Sequence, residues 1–484
     1  RVDPDDTVAR AAQGDTVSPA VAITVLNRPP EPRPDAATTR DNTAVAIDVL
    51  ANDTDPDGHA LSLVDAGPAP AGAVRIEDGA LRYTPAPGET GEIRLPYRVR
   101  DVWGAEATGE AVVHVEPAGR AMTGTEGPDT LVGGPENDTL AARGGDDSLR
   151  GEGGADRLDG ADGIDTLFAG SGDDTLDGGS GADFLDAGAG ADVIRAGPGK
   201  DVLSAGSGDD TASGGTEADF ADMGSGRDVF EGEAAGDVAL GGPGNDSLAG
   251  GDGGDTLLGG DEDDTLDGGP GRDFLLAGPG ADLLDGGSLE DFAGGGAGRD
   301  TLLGGGGDDT LLGEADADSL SGDDGDDIAA GGLGDDSLAG GTGDDLLDGS
   351  GGGDEITGGP GADSLFGGPG ADGLEGGAND DFLIGGSEAD RIAGGSGADW
   401  VAGNAGADVF VFARGDGADR VLDFTPGVDT LHFAGAARDH ADLAMGVDPS
   451  GRALLAYSDL PGDVLTLYGV SPADLGPGAG FDFA

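Results

Sequence analysis

The chain has no cysteine, so no disulfide staples its fold, and that lack is compatible with export of an unfolded chain. Lysine occurs once, at Lys200, and Lys plus Arg total 24 against 97 Asp plus Glu, a formal net charge of -73. Nucleic acid and anionic membrane surfaces repel such a chain, which argues against both as partners. No run of about 18 apolar residues is present, so no segment reads as a membrane-spanning helix. The four histidines, His59, His114, His432 and His440, form no HExxH pattern, no GxSxG is present, and His114 in AVVHVEP reads as a strand residue. Gly199-Lys200 is followed by Asp201 rather than Ser or Thr, which removes a phosphate-binding loop. Paired carboxylates such as Asp173 and Asp174 recur too often to be one acid/base site, so no catalytic residue is assigned.

What the chain has in excess is glycine, 102 of 484 residues, and acid. Two explanations compete: an acidic disordered tail, or a fold whose carboxylates are neutralised by bound cations. Periodicity decides between them. From Gly124 the sequence divides into nine-residue units without insertion, GTEGPDTLV, GGPENDTLA, ARGGDDSLR and onward to GNAGADVFV at Gly403, thirty-two units in all. The sixth position is Asp in every unit: Asp129, Asp138, Asp147, Asp156, Asp165, Asp174, Asp183, Asp192, Asp201, Asp210, Asp219, Asp228, Asp237, Asp246, Asp255 and Asp264 in the first half. The second half continues with Asp273, Asp282, Asp291, Asp300, Asp309, Asp318, Asp327, Asp336, Asp345, Asp354, Asp363, Asp372, Asp381, Asp390, Asp399 and Asp408. The eighth position is apolar throughout, from Leu131 to Phe410, and falls to alanine only at Ala212, Ala221, Ala239, Ala293 and Ala329. The fourth is Gly except at Glu136, Glu217, Ala235, Glu262, Leu289, Asp316, Asn379 and Glu388. Composition alone does not hold one Asp and one Leu in phase over such a length, so the disordered tail is rejected.

Glycine at positions one, two and four suits a tight turn with positive φ and a close approach of backbone to an ion. A short strand follows: in GADFLD, Leu185 points inward while Phe184 and Asp186 point out. Each unit then reads as a turn plus a strand of about three residues, with two units per eighteen-residue coil. The predicted fold is all-β: a long parallel β-roll over residues 124–411, preceded by a small β-sandwich and closed by a β-rich C-terminal cap.

The pattern GGxGxDxUx resembles the RTX, or hemolysin-type calcium-binding, repeat. That resemblance implies Ca²⁺ between turns two repeats apart, held by carbonyls of the glycine-rich turn and by position-six carboxylates, so that Asp174 shares an ion with Asp192 and Asp183 with Asp201. Oxygen-only ligation suits Ca²⁺ better than Mg²⁺, which gives up its waters reluctantly. One site per pair of units would set an upper bound of about 30 ions, with weaker binding where the fourth Gly is missing. Ordering a glycine-rich turn costs more entropy than one buried leucine returns, so the metal-free roll is expected to be unfolded.

Upstream, residues 33–117 carry short strands such as AVAIDVL, LRYTP and LPYRVRD between turns, which reads as a small β-sandwich. The segment IDVLANDTDPDG, followed later by Arg100-Asp101, resembles bacterial cadherin-like or tandem Ig-like domains; the resemblance implies a calcium site at a domain edge from Asp53, Asp55, Asp57 and Asp101. Residues 1–32 end in VAITVLNRPP and read as the close of a preceding similar domain plus a stiff linker. Starting at Arg1 inside a strand-like pattern, the chain reads as a piece of a longer protein.

Downstream, residues 412–484 form the expected cap. ADVFVFARGDGADRVLDFTPGVDTLHF resembles the region that follows RTX rolls in secreted proteases, which implies a further ion at Asp419, Asp423 and Asp429. The final DVLTLYGVSPADLGPGAGFDFA resembles the uncleaved signal read by a type I secretion exporter. The expectation is a secreted or cell-surface calcium-binding protein, exported unfolded and folded by extracellular calcium, of adhesin or structural type with a cell-surface or extracellular-matrix ligand. The alternative is the calcium-dependent C-terminal module of a secreted protease, lipase or epimerase whose catalytic domain lies upstream. Ice binding would need a regular Thr ladder, and position three is Thr only at Thr216 and Thr342.

Overall fold

The computed structural model describes residues 26–86, 88–434, 443–457, 462–475 and 480–483, and no helix occurs among them. The strand read at the end of a preceding domain falls in residues 1–25 and so lies outside the described residues, as does His440. Two compact units divide the chain, Arg1–Gly119 and Arg120–Ala484.

The first unit is a β-sandwich. Its strands are β1 (Asp35–Arg40), β2 (Val45–Ile47), β3 (Leu61–Ala66), β4 (Ala73–Glu77), β5 (Ala80–Thr84), β6 (Gly91–Asp101) and β7 (Glu106–Glu116). They form a four-stranded sheet in the order β1-β7-β6-β3 and a three-stranded sheet in the order β2-β5-β4. Period-two alternation drives the packing: in β6, Ile93, Leu95, Tyr97 and Val99 are buried while Glu92, Arg94, Arg98 and Arg100 face solvent. Gly109 stands opposite Tyr97 across the β6–β7 ladder, and a β-carbon there would run into the tyrosine ring. His114 is exposed on β7, a strand residue as its surroundings indicated.

The second unit is a β-solenoid of about 17 turns. Successive nonapeptides contribute strands alternately to two parallel sheets, so each strand pairs with the one two units later: Phe184 with Val202 and Leu185 with Leu203, eighteen residues on. One sheet runs from Thr130–Gly134 through Trp400–Ala405, the other from Thr139–Ala141 through Val409–Phe412. All thirty-two position-eight side chains are buried between them, the most exposed being Leu131 at 7%. Burial of that one face in register is the main apolar driving force of the unit.

Two details differ from the sequence reading. Most strands are six residues long, as in Phe184–Ala189, because the ladder skips position one and resumes at positions two and three, Gly188 with Gly206 and Ala189 with Ser207. Positive φ is confined to positions two and four. Gly181 and Gly188 are examples, at 145° and 102°, and a β-carbon on either would overlap the carbonyl oxygen of Gly163 or Gly170 in the coil before. Every non-glycine residue of the repeats with positive φ stands at one of these two positions, from Arg143 to Asn404. Position one is small for another reason: it faces inward, and it is buried as Ala187, Ala196, Ala205 and even Met223.

The cap covers the last coil with bulk that the repeats lack. Buried Phe412, Phe424 and Phe433 join Tyr457, with Phe433 and Tyr457 edge-on at 6.1 Å. Leu443–Val447, Ala453–Tyr457 and Val464–Leu467 form an antiparallel meander, and Val464–Leu467 pairs in parallel with Arg420–Val421 to extend one sheet of the roll.

Replacing Gly181 by alanine should cost about 1–3 kcal/mol of stability through backbone strain at its positive φ. Gly306→Ala, at a position-three site with open space around it, should stay within about 0.5 kcal/mol of the native protein. Thermal unfolding of the two variants side by side checks the difference.

Candidate metal centre

The position-six aspartates are drawn into the turns. Asp138 through Asp408 are all buried, none more than 5% exposed, and only the first, Asp129, is partly open. From Asp147 on, each offers Oδ1 to the backbone N–H of the aspartate two units earlier, as when Asp174 N–H donates to Asp192 Oδ1 at 2.7 Å and Asp183 N–H to Asp201 Oδ1 at 2.7 Å, and Asp138 Oδ1 accepts from Arg120 N–H. The result is two ladders of stacked carboxylates, one along each edge of the roll. The pairs expected to share an ion are thus adjacent rungs of one ladder.

The second oxygen is the informative one. From Asp147 to Asp399, twenty-nine consecutive position-six aspartates keep Oδ2 buried with no hydrogen-bond partner. Leaving a buried carboxylate oxygen unpaired costs heavily, and twenty-nine of them in register amount to a design rather than an accident. Other oxygens gather nearby. The site where Gly178 would carry a β-carbon is 2.9 Å from Asp183 Oδ2 and 2.7 Å from the carbonyl oxygen of Ala196. The position-four carbonyls of Gly163 and Gly181 accept no hydrogen bond among the described residues. Carboxylate and carbonyl oxygens without nitrogen or sulfur are the donor set of a hard divalent cation, so the residues present fit calcium.

Electrostatics point the same way. Burial, helped by the carboxylates of Asp192, Asp156 and Asp173, pushes the Asp174 carboxyl up to about 7. Burial and Asp201 push Asp183 to about 6. Stacked acids in a low-dielectric turn demand either protons or a cation.

Burial raises the pKa of Asp408, and two of the tail aspartates, Asp429 and Asp423, lie close enough to add to that rise, while Asp419 sits apart with Asp399. Asp419 Oδ1 accepts from Asp399 N–H at 3.1 Å, and Asp429 Oδ1 from Asp408 N–H at 3.2 Å, so they extend different ladders after steps of 20 and 21 residues. Asp423 instead binds the backbone of the last repeat, accepting from Gly403 N–H at 3.1 Å and Asn404 N–H at 2.7 Å. Sequence reasoning missed a further, more exposed ladder at position five. Asp173 Oδ1 accepts from Ala191 N–H at 3.0 Å, and Asp344 Oδ1 from Ala362 N–H at 2.8 Å. The recurring Asp-Asp pairs were its signal.

In the β-sandwich one of the four predicted ligands, Asp53, stands apart, while Asp55, Asp57 and Asp101 lie around His59. Asp53 accepts from Arg33 N–H at 2.7 Å and lies 3.3 Å from the Tyr97 hydroxyl. Asp57 is paired with Arg28 at 2.8 Å. Asp55 and Asp101 stay together through His59, whose Nδ1 is 3.5 Å from Asp55 Oδ1 and 3.3 Å from Asp101 Oδ2. Asp55 Oδ2 and Asn27 Oδ1 are buried without partners. Burial opposes ionisation of Asp101, yet hydrogen bonds from Asn27, the Ala105 and Trp103 amides and His59 outweigh it and lower its pKa. Among the described residues, Asp55, Asp57 and His59 bring potential ligand atoms within 4.8 Å of one another. His59 was not chosen from sequence, although it stands two residues after Asp57.

Comparison with known families gives two matches. The model described as bacterial Ig domain matches residues 27–114. The model described as RTX calcium-binding nonapeptide repeat matches residues 123–158, 159–194, 186–221, 222–257, 258–293, 294–329, 321–356, 348–383 and 384–420. No curated protein is matched. Among solved structures, a subunit of the mannuronan C5-epimerase of Azotobacter vinelandii is 30% identical over 28% of this chain and 77% of its own, with a TM-score of 0.18. The extracellular lipase LipA of Serratia marcescens is 16% identical over 56% of this chain and 40% of its own, with a TM-score of 0.19. A nucleoside hydrolase-related hypothetical protein of Saccharophagus degradans is 19% identical over 19% and 26%, with a TM-score of 0.16. The chain therefore spans well under half the length of the last two.

The raised carboxyls set a pH dependence for the metal-free chain. Folded-state values of about 6 to 7 against an ordinary 3.8 mean that the folded roll binds more protons than the unfolded chain in the window between. Stability without metal is therefore present at acid pH and lost as pH rises through about 6–7. In chelator, far-ultraviolet circular dichroism should show strand signal growing as pH falls from about 8 to about 4; a signal flat across that range contradicts the assignment.

Proposed function

Because the chain belongs to the RTX calcium-binding nonapeptide repeat family, whose matched stretches together run from 123 to 420, we propose that calcium folds it along both turn edges, outside the cell. The observation that supports this most is the run of buried Oδ2 atoms without partners from Asp147 to Asp399. Bound calcium supplies positive charge that neutralises adjacent rungs of each carboxylate ladder.

The chain's own residues do the rest. Position-six carboxylates, with Oδ1 fixed by the preceding coil's amide, hold Oδ2 beside position one of their own unit and a position-one carbonyl of the next coil, while the position-four carbonyl of the coil before lies on the Oδ1 side. Positive φ at positions two and four bends the backbone tightly enough for this, while the position-eight side chains close the interior against water. Asp419 and Asp429 continue the same role into the cap, and Asp423 fastens the last turn. In the sandwich, Asp55 and Asp101, with Asn27 Oδ1 beside them, are the residues for a separate calcium ion. Asp53 and Asp57 are already satisfied by Tyr97, Arg33 and Arg28.

Both matched families are non-catalytic modules. The reading is a secreted or cell-surface protein of adhesin or structural type, with a sandwich at 33–117, a roll at 124–411 and a cap at 412–484. It passes a type I exporter unfolded, where calcium is scarce, and orders where calcium is millimolar and sites of about 10⁻⁴–10⁻³ M fill. Part of the stretch read as the secretion signal is built into the cap, since Val464–Leu467 and Phe481–Phe483 both pair with strands that extend the roll.

At neutral pH in chelator the chain should lack the strand signal of the roll and gain it cooperatively as calcium is added, followed by circular dichroism. An unchanged spectrum in excess chelator would sink the proposal.

A further inference from the structure

The same nonapeptide builds both sheets, yet their outer faces differ. Positions seven and nine point away from the core in every unit. On the ten strands of one sheet from Val238–Pro243 to Trp400–Ala405, thirteen of these twenty positions are Val, Leu, Ile, Phe or Trp, and Asp348 alone is charged. On the ten strands of the opposite sheet from Val229–Ala234 to Arg391–Ser396, three are large and apolar, and six carry charge. Four of the thirteen apolar side chains are exposed, Phe274 at 40%, Ile328 at 46%, Leu346 at 42% and Trp400 at 41%, and the other nine, Leu276 and Phe292 among them, are half-buried. Rings line up along it, Phe274 stacking on Phe292 at 4.9 Å and Phe366 meeting Phe382 at 6.1 Å.

Folding of the roll does not require this. Thr256 and Thr310 fill position seven within the same sheet, and the core is supplied by position eight. Ten strands at about 4.8 Å give a strip about 48 Å long, and the two outward positions make it about 12 Å wide, so one face offers about 600 Å². That equals the largest apolar patch usual on a monomer, about 300–600 Å², and two such faces reach the roughly 1,200 Å² at which specific interfaces begin. The strip is ruled at the strand spacing, and a second copy carries the same ruling, so ridges and furrows match along its whole length. The position-six acids do not oppose the approach, because they lie buried in the turns.

From this we infer that the apolar sheet face centred on Phe274, Leu276 and Phe292 is the docking surface for a second copy of the chain, packed sheet against sheet. This goes beyond the calcium reading, and its test is run in saturating calcium, where loss of folding and loss of association are separable. Sedimentation of the full chain should give a species of twice 46.9 kDa that dissociates on dilution. The triple variant Phe274→Thr, Leu276→Thr, Phe292→Thr should sediment as a single chain while keeping the native circular dichroism. The matched variant on the other sheet, Val229→Thr, Leu283→Thr, Leu303→Thr, should still pair. A native chain that stays at 46.9 kDa overturns the inference and hands the face to a different partner, and equal effects of the two variants overturn it as well.

Discussion

Each coil of the roll buries two carboxylates, and each of these has one oxygen held and one oxygen left over. The held oxygen is taken by an amide of the coil before; the other has nothing in the protein to bind it. The rest of the architecture follows from that imbalance. A stack of acids in a low-dielectric turn cannot persist as bare anions at neutral pH, so folding is tied to whatever neutralises them. The hydrophobic layer of one position-eight side chain per unit, five of them only alanine, is too thin to carry that penalty alone.

The turns show how far the backbone is bent to serve this arrangement. Left-handed conformations recur at two fixed positions of each unit, and where glycine is replaced the larger residue accepts φ of about 70–90° rather than restoring ordinary backbone, as Glu262 and Leu289 do at 77°. Glycine at position four is thus a preference of the geometry, and the aspartate two residues later is its fixed requirement.

Much of this was legible in the sequence because the period itself is physical: read at nine residues, Leu185 and Leu203 fall into one core layer and Asp183 and Asp201 into one turn ladder, as they do in the structure. What the nine-residue frame concealed needed a different frame. Reading every unit alike averages the two sheets, so the contrast between Phe274 on one and Asp267 on the other emerges only at the eighteen-residue step. The tail aspartates misled because Asp419 and Asp429 are close in sequence, while the longer steps that precede them send each to a separate edge. In the sandwich, acid content drew attention to Asp53 and Asp57, whereas hydrogen bonding by Tyr97 and Arg28 had already claimed them and left His59 between Asp55 and Asp101.

The carboxylate ladder also has a sense of direction. Every rung depends on the one that follows it in the chain: Asp390 needs Asp408, Asp408 needs Asp429, and Asp399 needs Asp419, with the cap closing both series. The opposite end is covered by Ala121–Thr123, which pairs with Thr139–Ala141, and by Arg120, whose N–H donates to Asp138 Oδ1, while Asp129 is the partly open rung. The amides of one coil are thus satisfied by the acids of the next, and the cap supplies the last acceptor of each series, so the column has a polarity set by its hydrogen bonds.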